Sequence, residues 1–156
     1  MPNFFATAPR HLESLLADEL LGLGLGEVKE ARSGARFSGP LADAYRACLW
    51  SRIANRVLLP LASFPVVDSA TLYAGASAIP WEEHLSGRGT FAVQFDGAEG
   101  GISDTQFGAL RVKDAIVDRF RERSGERPSV DRERPDVRVQ AYLHRGLATL
   151  SLDLSG

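Results

Sequence analysis

The residues of this chain that could do chemistry are three histidines, one cysteine, a few neighbouring carboxylates and a dense group of arginines. His11, His84 and His144 stand far apart, and none has a partner at metal-ligand spacing or in an HExxH arrangement. Cys48 has no second cysteine to pair with, which fits a reducing compartment. Its apolar neighbours in a helical stretch make it a small buried hydrophobe rather than a nucleophile. Gly75-Ala76-Ser77-Ala78-Ile79 lacks the closing glycine of a nucleophile elbow. Glu82-Glu83 and the Asp114/Asp118 pair fall on helical faces, where carboxylates are solvated or paired with arginines three or four residues away. Gly22-Leu23-Gly24-Leu25-Gly26 follows a helix instead of leading from a strand into one, so it reads as a helix stop and turn, not a phosphate loop. These spacings give the chain no catalytic constellation of its own.

The arginines point elsewhere. Residues 1–63 carry 7 basic and 6 acidic side chains, residues 64–110 carry 1 and 6, and residues 111–145 carry 10 and 7. The net charge of −2 therefore hides one basic third. A local basic surface on an acidic protein can still steer a polyanion, because the near field governs association. One cation stands out within this third. Lys113 falls inside the apolar stripe of a long helix rather than on its wet face. Either its methylenes pack while the ammonium reaches the rim, or it is aimed at a partner's phosphate.

The elements that must position these groups follow from periodicity. Asn3–Thr7 reads as an aromatic strand, and residues 9–22 as an amphipathic helix opened by Pro9. Two short strands, 27–32 and 35–38, flank a Ser33-Gly34 turn. A helix from Pro40 to Leu49 follows, with Leu41, Ala44, Tyr45 and Leu49 on one face. Residues 55–64 form an apolar strand whose Pro60 marks an edge or bulge. This β-α-β-β-α-β order is the ferredoxin-like arrangement. Beyond a join at 65–69 come a small-residue helix (70–78) and a turn or short helix (79–85). In that turn Trp81 is either packing or a stacking platform for a base. Next are a strand (90–96), a glycine-rich loop (97–101) and the long helix (103–123). That helix is capped by Ser103 or Asp104, covers a sheet with Ala109, Leu110, Val112, Ile116, Val117 and Phe120, and stops at Gly125 and Pro128. A charged loop (127–135) and a hairpin (136–143, 147–153) around Arg145-Gly146 complete the chain. The fold class is α+β, with domains expected at 1–64 and 65–156. No stretch approaches the roughly 20 apolar residues of a membrane span, and the amino terminus shows no signal-peptide pattern.

With these elements in place the chain resembles the N-terminal part of the bacterial 23S rRNA guanine-N2 methyltransferases. The resemblance runs through Asn3-Phe4-Phe5-Ala6-Thr7, Leu49-Trp50-Ser51-Arg52-Ile53-Ala54-Asn55-Arg56 and Thr90-Phe91-Ala92-Val93-Gln94-Phe95. Its more specific parts are Val112-Lys113-Asp114-Ala115-Ile116-Val117-Asp118 and Pro135-Asp136-Val137-Arg138-Val139. Proteins of this family often carry the name N6-adenine-specific DNA methylase.

The resemblance implies an N-terminal ferredoxin-like domain followed by a THUMP domain, an RNA-binding α+β module. It also implies catalysis elsewhere, in S-adenosylmethionine-binding domains further along the polypeptide, which methylate the exocyclic amine of a guanine. None of their motifs is present here, so no cofactor is expected in this chain. The expected partners are 23S rRNA and the covalently linked methyltransferase domains, with no membrane and a cytoplasmic location. Arg111, Lys113, Arg119, Arg132, Arg134, Arg138 and Arg145 are the expected phosphate contacts. Shape recognition of RNA suits a mixed-charge surface with few aromatics. An alternative reading makes the chain a docking module that positions the catalytic domains without touching RNA.

Overall fold

The computed structural model describes residues 2–97, 102 and 104–155. The chain forms two compact units, Met1–Pro60 with Asp153–Gly156, and Leu61–Leu152.

The first unit contains strands β1 (Asn3–Thr7), β2 (Gly26–Ala31) and β3 (Gly34–Ser38), the first half of β4 (Arg56–Pro65), and helices α1 (Glu13–Gly22) and α2 (Leu41–Trp50). The strand order is β2-β3-β1-β4, antiparallel throughout. Alternation along the strands sends Phe4, Ala6, Ala35, Phe37 and Val57 into a core with Leu16, Leu20, Ala44 and Ala47 of the helices. The Phe4 and Phe37 rings stack at 5.3 Å. This is the ferredoxin-like arrangement.

Three local expectations for this unit are corrected. Helix α1 starts at Glu13, four residues after Pro9. His11 sits at φ 74, the left-handed region, and Leu12 N–H closes a turn onto Pro9 O at 3.1 Å. The turn between β2 and β3 is Arg32-Ser33, with Ser33 at φ 66, and Gly34 already belongs to β3. Helix α2 buries its Ala44, Ala47 and half-buried Cys48 stripe, leaving Leu41, Tyr45, Leu49 and Trp50 exposed, Leu49 by 78%. Small residues let that helix approach the strands closely, so the larger ones face outward. Burial is the first cause that raises the Cys48 thiol pKa, with the nearby Asp153 charge adding to it, which makes a poor nucleophile. Pro60 lies beyond Leu58, the last β4 residue paired with β1, where its missing N–H costs that ladder nothing.

The second unit holds the rest of β4, helix α3 (Ser69–Ser77), a single 3-10 turn (Trp81–Glu83), β5 (Thr90–Asp96), α4 (Thr105–Ser124), β6 (Ser129–Val130), β7 (Val137–His144) and β8 (Leu147–Asp153). Its strand order is β4-β8-β7-β5-β6, and β5 runs parallel to both β6 and β7. The chain between β5 and β6 must therefore travel back along the sheet, and α4 makes that return. Asp104 caps it by accepting from Gln106 N–H at 2.8 Å, and Gly125 ends it at φ 75. Ser103, the other cap considered, and most of the 97–101 loop lie outside the described residues. The buried stripe of α4 is Gly108, Val112, Ala115, Ile116, Val117 and Phe120, so Leu110, at 48% exposure, is not part of it. Gly108 permits the approach, since a Cβ there would meet the Phe95 ring at 2.8 Å. The β7–β8 turn is Arg145-Gly146 at φ 51 and 75, the double left-handed pattern of a two-residue hairpin. Trp81 is fully buried, with Nε1 donating to Ala76 O at 2.8 Å, so it is packing and presents no face to a base.

Candidate nucleic-acid interface

Topology divides the candidate cations. Because α4 runs antiparallel to β5, its first turns lie at the carboxyl end of β5 and its last turns at the amino end. Arg111 and Lys113 therefore sit towards the former. Arg132 and Arg134, in the loop before β7, and Arg138, paired in register with Ala92, sit towards the latter. Arg145, at the far end of β7, stands seven residues from Arg138, about 23 Å along an extended strand. The seven cations do not form one patch.

Arg111 and Lys113 project from opposite flanks of α4 and share a carboxylate between them. Lys113 Nζ lies 3.0 Å from Asp114 Oδ1, and Arg111 Nη1 lies 3.9 Å from Oδ2. The Lys113 side chain is 30% exposed, the packed stem and rim-seeking ammonium of a snorkelling lysine. The Arg111 guanidinium lies over the Tyr73 ring at 4.6 Å. Tyr73 in turn donates to Asp118 Oδ2 at 2.5 Å, and that bond to a carboxylate raises its pKa. Arg111 Nε is buried without a hydrogen-bond partner among the described residues, while the other groups of this corner satisfy one another.

Arg119 is committed to the fold. Its Nε and Nη2 donate to the two Glu82 oxygens at 2.7 and 2.8 Å, and Nη1 donates to Ser77 O at 2.7 Å. Only 13% of its side chain is exposed. The fork ties α4 to the 3-10 turn and the end of α3, leaving it little to offer a phosphate. Its hydrogen bonds, with the Arg123 charge nearby, hold the Glu82 carboxyl at about 2, against an ordinary value of 4.5. A depressed carboxyl stabilises the fold above the unfolded value, and that contribution is lost as pH falls from about 4.5 through about 2. Glu82→Gln is thus expected to lower stability at pH 7 by about 1 kcal/mol, reduced by solvent screening. Thermal melts should show the gap to the wild type closing across that acid window.

The remaining cluster is built differently. Asp131 Oδ1 accepts from Glu133 N–H at 3.0 Å and Arg134 N–H at 3.1 Å, folding the loop into an Asx turn. Asp136 fixes its other end, with Oδ2 accepting from Thr90 N–H at 3.0 Å and its own N–H donating to Thr90 O at 3.1 Å. Two of the carboxylates inside the basic run, Asp131 and Asp136, thus hold the backbone. The cations beside them, Arg132 and Arg134, stay exposed, and Arg138 Nη2 leans on Glu133 O at 3.2 Å. β6 pairs with β5 beside this loop, through Thr90↔Ser129 and Phe91↔Val130. Periodicity missed this strand because two residues carry no pattern. Arg121 and Arg127, exposed and without an ion pair among the described residues, belong to the same end and were not singled out from sequence. Their signal was position: the last turn of the helix and the first residues of the loop.

Among the described residues no group of histidines, cysteines and carboxylates could hold a metal ion, and no helix is long and apolar enough to cross a membrane. The Gly22-Leu23-Gly24-Leu25-Gly26 run is a helix stop and turn, not a phosphate loop. Gly24, at φ 83, follows the last turn of α1, where helix carbonyls rather than N–H groups face outward.

Comparison with known proteins agrees with the two units. Residues 3–58 match the RlmL ferredoxin-like domain and residues 68–153 the THUMP domain. The chain is 58% identical to the ribosomal RNA large subunit methyltransferase K/L of Syntrophotalea carbinolica over 99% of its own length. It is 59% identical to the protein of that name from Pseudomonas aeruginosa, again over 99% of the chain. It spans 22% and 21% of those relatives' lengths. A crystal structure from Listeria monocytogenes, described as a predicted N6-adenine-specific DNA methylase, superposes with a TM-score of 0.84 at 26% identity, covering 97% of this chain and 40% of that one. The chain belongs to the family of proteins that carry an RlmL-type ferredoxin-like domain followed by a THUMP domain.

Proposed function

We propose that this chain is the RNA-recognition part of an S-adenosylmethionine-dependent methyltransferase acting on the exocyclic amine of a guanine in 23S rRNA. Methyl transfer belongs to domains that accompany this part in the longer relatives, and this chain supplies the hold on the substrate. In this reading residues 1–64 are the ferredoxin-like domain and residues 65–156 the RNA-binding one. The observation that carries it is the 131–138 segment. Asp131 and Asp136 are spent on fixing the backbone, so Arg132 and Arg134 on the ordered loop and Arg138 at the start of β7 are presented together. Preorganised cations lose little freedom when they meet phosphates. Arg145 and Lys113 are secondary contacts, Arg111 contributes through its position on Tyr73, and Arg119 acts through the fold. The test is titration of the chain with a structured fragment of 23S rRNA. Saturable binding that weakens steeply with salt supports the reading, and no binding at low salt contradicts it.

One observation favours the docking alternative. Leu41, Tyr45 and Leu49 recur at four-residue spacing on α2 and are exposed, with Trp50 beside them. The occupant this stripe would take is the remaining polypeptide of the longer relatives. Binding of the isolated catalytic part, abolished by Leu49→Ser, would establish it. Binding that ignores this change would remove it.

A further inference from the structure

The first unit carries a second surface of a different kind, on the sheet face opposite its helices. Strand register puts Lys29 of β2 directly beside Arg36 of β3, and Arg36 directly beside Phe5 of β1, in one row on one face. The core-facing residues Phe4, Ala6, Ala35 and Phe37 occupy the other face. Along the helix-free side lies an open depression of about 650 Å³ whose lining includes Phe5, Lys29, Arg36, Asn3, Ser38 and Glu27.

Three features give it a chemistry. The half-exposed Phe5 side chain reaches Gly34, where an added Cβ would come 3.0 Å from Phe5 Cε1. Lys29 and Arg36 are exposed and, among the described residues, neither is engaged by a carboxylate. Glu27 is held at the rim by Ser38 Oγ, which donates to its Oε2 at 2.7 Å. An aromatic face, two unpaired cations beside it, and a carboxylate, hydroxyl and amide at the edge suit the base and phosphates of an unpaired nucleotide. The base takes the ring, the phosphates take the cations, and the base's N–H groups find the acceptors.

We propose that this sheet face binds a short single-stranded segment of RNA, with one base on Phe5 and flanking phosphates on Lys29 and Arg36. The inference rests on the RNA-binding reading above and adds a second site to it, separate from the 131–138 loop.

The experiment uses the whole chain and a fluorescein-labelled hexaadenylate, with inorganic polyphosphate and polyglutamate as competitors. Lys29→Gln with Arg36→Gln is expected to abolish measurable hexamer binding. Phe5→Leu, which keeps apolar cover without the ring, should weaken it about tenfold. Neither change should alter affinity for structured rRNA helices by more than a few-fold. Should Phe5→Leu fail to fold, the charge pair decides alone. Hexamer affinity indifferent to these changes overturns the proposal, as does displacement by polyphosphate as effective as by unlabelled hexamer. Equal displacement by polyglutamate overturns it in favour of an acidic protein partner. If Arg132→Gln, Arg134→Gln and Arg138→Gln together remove helix binding but spare the hexamer, both sites stand. If only the sheet face proves silent, the proposed function survives without it.

Discussion

Replacing Arg132, Arg134 and Arg138 together by glutamine is expected to weaken binding of structured rRNA by on the order of 100-fold and to flatten its salt dependence by about two to three units of log-log slope. The size follows from counterion release, since each phosphate neutralised contributes roughly 0.7 to 0.9 to that slope. The fold should hardly notice. Arg132 and Arg134 are exposed, Arg138 gives up one bond to a backbone carbonyl, and the Asp131 and Asp136 contacts that shape the loop involve backbone groups. The same three-site change made as Arg→Lys should recover most of the slope but less of the affinity, because lysine keeps the charge without the two-pronged fork. Fluorescence titration across a salt series reads both quantities. Neutralising Arg119 gives the contrasting outcome: a loss of thermal stability, with a small change in the salt slope.

The largest stability effect is expected at Trp81. It is fully buried, fills the space beneath the end of α3, and anchors its indole N–H on Ala76 O. Trp81→Ala removes that volume and the bond together, for a cost of about 3–5 kcal/mol. That is a large fraction of the roughly 5–15 kcal/mol by which domains are stable. The melting temperature should fall by on the order of 10 °C. Trp81→Phe keeps most of the volume and should cost about 1–2 kcal/mol, chiefly for the lost hydrogen bond. The chain's other tryptophan, Trp50, is 67% exposed, so acrylamide quenching separates the two. The wild type should show one protected and one accessible indole, and the alanine variant only the accessible one.

The parts of the fold legible in the sequence are those where local signals agree. β5 and β8 alternate without a competing period, and Gly125 and Arg145-Gly146 carry turn chemistry that only left-handed backbone satisfies. Where two local readings compete, tertiary context decides. In α2, the large Leu41-Tyr45-Leu49 stripe and the small Ala44-Ala47-Cys48 stripe both have helical spacing. The sheet took the small one because it allows close approach. Pro9 is a good helix opener, yet His11 in the left-handed region delays α1 to Glu13.

The candidate site was legible as a region and not as a geometry. Counting charges locates the basic third of the chain. It does not reveal that Glu82, thirty-seven residues before Arg119, claims that arginine. Nor does it show that Asp131 and Asp136 serve the backbone and leave their arginine neighbours exposed. Lys113 illustrates the same limit: its place in an apolar stripe is visible from periodicity, but the Asp114 contact that draws its ammonium to the rim is not. The row of Phe5, Arg36 and Lys29 needs strand register, which no single strand carries in its own sequence.

The most direct test of the central claim is a titration of the ¹⁵N-labelled chain with a structured fragment of 23S rRNA, followed by amide chemical shifts. The largest changes are expected on the backbone of Asp131 to Arg138, with smaller ones at Arg145 and the first turns of α4. Shifts confined to Leu41–Trp50, or none in the 131–138 segment at saturating RNA, would contradict it.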